Sequence, residues 1–599
     1  MSVKYINRDR TYRLIDFLVI PFRAAPVPAC GKCVNMLLSA LMTTAQAMAT
    51  ALFVDTALAI FAGNDVYHAI FTPLIYLLLI VAYGTVSSTV NKFTNLGIDQ
   101  KLASVYRTEI LEKRARLAYY NIEDNKTWDL ITRVCKEPEI RIRNAFCNIL
   151  DLAEIIVRVG SLLLLITAQV WWAGLAILAI SVPLFLVSKK AGQKEYTAWQ
   201  EAEKHRRRAD YLKNVILSRE AAEERSLFGY TEDVNRRWLE RADQARRIEK
   251  KTLKEQFIRM KTSSIITALL SLSIIAILLF PYARGELSSG MFISLVTATL
   301  SLVQMMSWQF AAVTNQLAQH SEYLRDLTKF CALPETEGAL DYPVSAESAG
   351  FGTIEFQNVS FRYPGTEKYI LQNLNLTLEP ERHYAIVGIN GAGKTTLTKL
   401  LTGLYDNFEG EILIGGRSIR DFTQAQLKAM FGVVYQDFVK YYVKAADNIA
   451  LGNVLSYDEA KIQEAARFIG LDSAVQELPQ GYDTYLGKIH AGGVDISGGQ
   501  WQRFAIARAL YNPAHMRILD EPTAALDPVA ESEVYRLFGQ ISAGKSTVFI
   551  THRLGAARLA DEIVVLDSGR VAEQGSHEKL VSAGGIYAEM FEAQRSWYA

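Results

Sequence analysis

Cysteine is scarce, with five in 599 residues. So few cannot staple a chain this long, and a disulfide framework is excluded. Cys30 and Cys33 form a C-x-x-C, but no second Cys or His pair stands near enough in sequence for a zinc site. They read as a reduced cytosolic pair. A dominant charge is also missing. The 64 Lys and Arg balance 63 Asp and Glu, and the net charge of +1 gives no footing for a nucleic-acid partner. Residues 1–30 lack a clean apolar core and carry prolines and charges, so no removable signal peptide is expected. No internal repeat is visible. With half its residues hydrophobic and 21% charged, the chain is neither disordered nor all membrane. Its length exceeds what one compact core accommodates.

The near-zero charge hides an asymmetry. Up to residue 350 the chain has 41 Lys/Arg and 34 Asp/Glu; beyond it the counts are 23 and 29. Charge also vanishes locally. No Asp, Glu, Lys or Arg occurs in 33–54, 66–91, 159–188, 262–283 or 287–321. A bilayer core needs about 20 apolar helical residues. The stretch 159–188 is long enough for a hairpin, with Trp171 and Trp172 at its turn, where tryptophans favour the interface. Six spans result, at about 34–61, 67–91, 146–167, 173–189, 260–281 and 288–310.

The turns at 62–68, 168–173 and 282–289 hold Arg284 as their only Lys or Arg. Basic clusters lie on the other side, at 113–116, 205–208 and 246–251. The positive-inside rule makes that side cytoplasmic, together with both chain ends. Segments 92–123 and 190–220 carry mixed charge and almost no Gly or Pro. They read as helices of roughly 45 Å reaching below the membrane, with contact points near 123–129 and 227–230. The expected domains are a membrane part at 1–330, a Pro/Gly/Ser/Ala-rich linker at 331–350, and a second domain at 351–599.

That second domain opens with a strand, a glycine loop and a helix. The apolar 384–387 precede Gly388, Ile389, Asn390, Gly391, Ala392, Gly393, Lys394, Thr395 and Thr396. The spacing G-x-x-x-x-G-K-T is that of the phosphate-binding loop. Its glycines let backbone N–H groups turn toward phosphates, and the helix dipole adds positive potential. Lys394 neutralises phosphate charge, and the Thr395 hydroxyl can ligate Mg²⁺. Further on, apolar residues end in Asp520 and Glu521, one carboxylate for Mg²⁺ and one for water. Between them, Ser497, Gly498, Gly499 and Gln500 precede a helix that Ser497 can cap.

The three motifs together resemble the ATP-binding cassette (ABC) transporters, in the exporter form that joins membrane and nucleotide domains in one chain. The likeness extends over nearly the whole sequence. It implies an α-helical membrane domain of six spans with long cytoplasmic extensions, followed by an α/β P-loop NTPase domain of the ABC type. It also implies roles. Tyr363 matches the aromatic that stacks on adenine. Gln436 matches the glutamine that senses Mg²⁺ and couples to the membrane. Residues Ser497 to Gln500 match the signature that closes over ATP on the other subunit. Asp520 matches the Mg²⁺-linked carboxylate, Glu521 the general base, Asp527 a loop between the two sites, and His552 the switch histidine. Ile496 stands where the family has leucine, Arg517 interrupts an apolar strand, and 487–493 lack a common acidic residue.

One loop and one signature per chain imply a dimer, most simply of two copies, with a heterodimer as the alternative. The cofactors are ATP and Mg²⁺. The expected setting is a bacterial plasma (inner) membrane, and the substrate is hydrophobic or amphipathic: peptide, drug or lipid. The stretch 436–441 and Trp501 resemble lantibiotic exporters, although residues 1–33 leave little room for a leader peptidase. A siderophore-type importer or an ATP-gated channel or sensor would use the same fold. Asp55, Glu154, Arg158, Gln304 and Gln309 are polar groups in or near the spans, hence substrate-path candidates. Glu154 and Arg158, at i,i+4, could equally pair with each other. Met305, Met306, Trp308 and Phe310 read as helix packing or as an adaptable apolar lining.

Overall fold

The computed structural model describes residues 5–63, 67–172, 205–206, 208–218, 221–305, 309–522, 531–532 and 544–596. The predicted span 173–189, Met306, Trp308 and Asp527 lie outside them. Two compact units result. One comprises 1–112 and 129–333, the other 113–128 and 334–599.

The first unit is helical. Its long helices are α1 (Pro26–Phe61), α2 (Phe71–Leu102), α3 (Pro138–Gln169), α4 (Thr231–Ala283), α5 (Ser289–Gln304) and α6 (Phe310–Ala332). Proline opens α1 and α3, where its missing N–H has no helical partner to lose. Among the described residues, Pro26–Phe61 and Tyr67–Arg116 are long and apolar enough to cross a membrane. α3 ends at Gln169, where Val170 turns extended. Within it, Glu154 pairs with Arg158.

Asp55 makes contacts that its sequence position did not announce. It reaches from α1 to the start of α5, accepting from the Gly290 N–H at 2.6 Å and the Ser288 hydroxyl at 2.6 Å. Ser288 in turn accepts from the Met291 N–H at 3.1 Å. The Ser294 hydroxyl bonds the Ala47 carbonyl one stage deeper. Asp55 is thus a helix cap supplied by another helix.

The second unit is built on two sheets. Its strands are β1 (Ile354–Phe361), β2 (Leu371–Leu378), β3 (His383–Val387), β4 (Glu409–Ile414), β5 (Arg417–Ser418), β6 (Phe431–Val434), β7 (Met516–Asp520), β8 (Ser546–Ile550), β9 (Glu562–Asp567) and β10 (Arg570–Gly575). An antiparallel sheet runs β2-β1-β4-β5, and a larger one runs β10-β9-β3-β8-β7-β6. In the larger sheet β9, β3, β8, β7 and β6 are mutually parallel.

The parallel strands are buried on both faces, which is why they read as unbroken apolar runs. Alternate residues serve two cores. Ala385, Val387, Leu519, Phe549 and Val565 face one that includes helix α8 (Gly498–Tyr511). Ile386, Ile518, Val548 and Val564 face the other, shared with the small sheet and helix α7 (Lys394–Leu401). Each such Val, Leu, Ile or Phe side chain contributes about 1.5–3 kcal/mol on full burial. Arg517 does not break β7. It sits in register between Gly432 and Thr547, its guanidinium pulled below the usual arginine range by burial. Ile496 packs against the α8 core, an apolar residue in an apolar place.

Candidate functional site

Parallel register brings the C-terminal ends of β3, β6, β7 and β8 to one edge of the sheet. At or just past those ends lie Gly388, Gln436, Asp520 with Glu521, and His552. Four segments separated by up to 164 positions therefore meet because the sheet is parallel.

The loop after β3 is shaped by its glycines. Gly388 has φ +151° beside the Leu566 carbonyl, which a Cβ would approach to 2.2 Å. Gly393 has φ +102° against Leu371 and Ile370. No other residue suits either place. Asn390 and Gly391 are exposed at the crest, whereas Ala392 is buried. Lys394, buried at the start of α7, donates to the carbonyls of Gly388 at 2.9 Å and Ile389 at 3.1 Å. Burial lowers its pKa, opposed by Glu521 and Asp520.

Asp520 is 2% exposed, and the Thr395 hydroxyl bonds its carboxylate. Burial, then the Glu521 charge, push it up to about 6. A buried carboxylate with a hydroxyl beside it presents hard oxygens, and the pair fits Mg²⁺. No group of three or more His, Cys, Asp or Glu able to hold a metal occurs among the described residues. That suits an ion completing its shell from phosphate and water.

Glu521 occupies the left-handed region, with φ +46°. A non-glycine residue there is held at a cost of about 1–2 kcal/mol. Its surroundings hold it in place. Its N–H donates to the Ile550 carbonyl at 3.0 Å, and its carboxylate receives Gln436 Nε2 at 3.2 Å and meets His552 Nε2 at 2.9 Å. Burial, then Lys394, lower the His552 pKa against Glu521. At 2.9 Å from a carboxylate oxygen, His552 Nε2 is the donor of this contact.

Two further residues belong here that the motifs did not single out. Gln502, buried on α8, donates to the Glu521 carbonyl at 3.3 Å. Gln594, in the C-terminal helix Ile586–Arg595, bonds the His552 carbonyl and accepts from the Leu554 N–H at 2.8 Å. Gln502 lies two places after Gln500 and could have been suspected; Gln594 has no sequence signal.

Tyr363 is tied to the loop helix. Its hydroxyl lies 3.0 Å from Thr396 Oγ1, and its ring meets Tyr405 edge-on at 5.7 Å. A cavity of about 430 Å³ opens beside it, lined also by Arg362, Tyr369 and Glu409. Lys399 lies over Tyr363 and also over Tyr119. Tyr119 begins the short helix Tyr119–Glu123, whose Glu123 is gripped by Lys399 and the Tyr405 hydroxyl.

Ser497 caps α8, accepting from the Gln500 N–H at 3.2 Å while its own N–H donates to Gln500 Oε1 at 2.9 Å. Gly498 and its neighbour Gly499 then begin the helix. Among the described residues, 497–500 make no hydrogen bond to loop 388–396 of this chain. Trp501 points the other way, buried against Tyr442 at 5.8 Å.

Residues 371–524 match the ABC transporter family model. The chain is 29% identical over 516 residues to the subtilin transport ATP-binding protein of Bacillus subtilis, covering 85% of this chain and 82% of that protein. It is 34% identical over 349 residues to the ATP-dependent lipid A-core flippase of Aromatoleum aromaticum, with 57% and 56% covered. The corresponding flippase of Pseudomonas aeruginosa gives 34% over 344 residues. The match thus spans about half of each flippase. The fold is that of a bacterial Atm1-family ABC exporter with ATP bound: TM-score 0.75, 24% identity, 96% of this chain and 99% of that one covered.

Proposed function

We propose that this chain, an ABC half-transporter of the exporter fold, pairs with a second copy of itself and drives an amphipathic substrate outward across a bacterial plasma membrane by hydrolysing ATP. The observation that carries the reading is the sheet edge. There a phosphate loop, a buried carboxylate and a clamped, strained glutamate converge from four strands. A subtilin transporter and lipid A-core flippases among the relatives support an amphipathic cargo. Transport, flipping and export, the activities those relatives and the matching exporter are named for, disfavour the importer and channel alternatives.

In this reading the loop amides of 388–393 and Lys394 bind the ATP phosphates, and Tyr363 takes the adenine. Mg²⁺, when bound by Thr395, Asp520 and Gln436 together with phosphate oxygens, neutralises charge on the phosphates. Glu521 accepts a proton from the attacking water. Gln436 and His552 hold its two oxygens, so its orientation answers both to the strand end of β6 and to the turn after β8. The Ser497–Gln500 helix start of one copy closes over ATP held by the other. The basic clusters and the ATPase face the cytoplasm. Glu123, held by Lys399 and Tyr405 beside Tyr363, is where adenine binding can be felt by the segment that joins α2 to α3.

The test is Glu521→Gln. It preserves size and one of the two acceptor oxygens while removing the base. Turnover should fall by roughly 10²–10⁴-fold with ATP binding retained. Unchanged hydrolysis in the purified full chain would reject the assignment.

A further inference from the structure

We infer that the helical unit carries a ligand site of its own, a polar cavity between α1, α2 and α3 that takes an amphiphile with an anionic head group. The amphiphilic character of the ligand rests on the exporter reading above. The anionic head rests on the cavity itself.

The cavity holds about 580 Å³, within the usual size range of small-molecule sites. It is lined from α1, α2 and α3, and two of its wall residues are charged, Lys92 and Arg158, both positive. The nearby carboxylate of Glu154 is not in the wall. It is bonded to Arg158 and accepts the Ser39 hydroxyl at 3.1 Å. Arg158 Nε is buried and has no hydrogen-bond acceptor. Such a donor is unfavourable unless something supplies an oxygen.

The other wall groups divide in two. Some are already used: Tyr83 donates to the Asn35 carbonyl at 3.1 Å, and Asn95 accepts from Lys32 at 2.7 Å. Others are not. Among the described residues, the side chains of Thr43, Ser88, Asn91 and Lys92 bond no protein group. Thr43 and Asn91 among them are half-buried, and polar side chains left over inside an apolar helical unit mark a site by default. Left over with them is the Arg158 Nε, and no carboxylate: the Arg158 charge is met by Glu154, so among the described residues Lys92 is the uncompensated cation of the wall. Hydroxyls, an amide and the Arg158 Nε can bond an anionic head, and Lys92 balances its charge.

The position fits a ligand delivered by the membrane. From Ile80 to Lys92, both in the wall, α2 rises about 18 Å. By the distribution of basic clusters, Lys92 lies toward the cytoplasmic edge and Ile80 deeper in the bilayer. A head group would reach from Lys92 toward Arg158, which the Ser39–Glu154 and Thr44–Ser161 bonds set level with 39–44 of α1, and its tail would leave past Met42 and Ile80.

The experiment measures binding, apart from transport. The full chain is placed in phosphatidylcholine nanodiscs. Two fluorescent-tailed probes of identical acyl chain are titrated: lysophosphatidylglycerol, which is anionic, and lysophosphatidylcholine, which is zwitterionic. The anionic probe should bind at least tenfold tighter. Lys92→Gln, at an exposed mouth position, should reduce that preference several-fold without affecting folding. Arg158→Gln should abolish it. Because Arg158→Gln leaves Glu154 unpartnered, the pair Glu154→Gln with Arg158→Gln serves as the uncharged isostere, and it too should lose the preference. Equal affinity for both probes in the unaltered chain, or a preference that survives Lys92→Gln and the double variant, would overturn the site. ATP-driven uptake into inverted vesicles is read separately. Head-group selectivity without uptake would count against the exporter reading and leave the site standing. Uptake without selectivity would do the reverse.

Discussion

Two helix starts in this protein look alike and are used differently. α5 begins with Ser289 and Gly290, and α8 with Gly498 and Gly499. Each has an oxygen cap. At α5 the cap comes from Asp55, which lies 235 positions from Gly290, and the glycine is crowded: a Cβ would come within 2.1 Å of the Ala51 carbonyl. At α8 the cap is local, Ser497, and Gly498 is open: a Cβ would meet nothing within 4 Å among the described residues. Gly498 does not need positive φ either, since Gly498 is absent from the residues that adopt it. One glycine is explained by its own chain. Nothing among the described residues of this chain explains the other; in the proposed dimer a second copy's bound nucleotide would approach it.

Alanine at the open position gives the largest effect and breaks the comparison if it fails. Gly498→Ala should leave the fold intact and stabilise α8 by about 0.4–1 kcal/mol. ATP turnover should nevertheless drop by roughly hundredfold, the size of losing one well-placed backbone donor to a charged transition state. A variant that is stabler and fully active would mean that nothing approaches this helix start.

The crowded position should respond the other way. Gly290→Ala must push α1 from α5, because the obstacle is backbone; a destabilisation of about 3 kcal/mol is expected. Asp55→Ala removes a charge-assisted cap and should cost about 2 kcal/mol. Both lower the melting temperature of the purified chain in detergent, and neither should change ATP affinity. If Asp55→Ala left the melting temperature alone but altered substrate selection, Asp55 would be a substrate residue after all, as its place in a span first implied.

The two caps also mark what could be read in the sequence. Ser497 and Gln500 are three apart, so a capping box is visible as spacing. The glycine loop and the Asp520–Glu521 strand end are equally local, and their strand and helix settings follow from short apolar runs. Asp55 and Gly290 meet only through packing of α1 on α5. Nothing in either neighbourhood announces that, so Asp55 looked like a lone membrane carboxylate. Gln594 was invisible for the same reason. Its bonds to the His552 turn depend on where the last helix docks. Arg517 shows the opposite error: a cation inside an apolar strand raised doubt, yet the parallel register accommodates it.

Glu123 provides the smallest effect and sharpens the contrast between local and distant acceptors. Like Asp55 it is a carboxylate satisfied from far along the chain, here by Lys399 and Tyr405. Unlike Asp55 it faces water, so the energy at stake is small. Burial raises its pKa, but the Lys399 and Tyr405 hydrogen bonds more than offset this, and the net shift is downward. A carboxylate depressed in the folded state contributes stability above its unfolded value, near 4.3–4.5, and loses it as pH falls through the lower folded value. The seating of Tyr119–Glu123 should therefore be constant from pH 8 to about 5 and loosen in stronger acid. Amide hydrogen exchange of 119–123 in the full chain, corrected for its intrinsic pH dependence, reads this directly. In Glu123→Gln the acid step should vanish, and exchange should already be faster at pH 7. Protection that stays level below pH 4 in the unaltered chain would mean that the tyrosine rings around Lys399, and not the carboxylate, hold the helix.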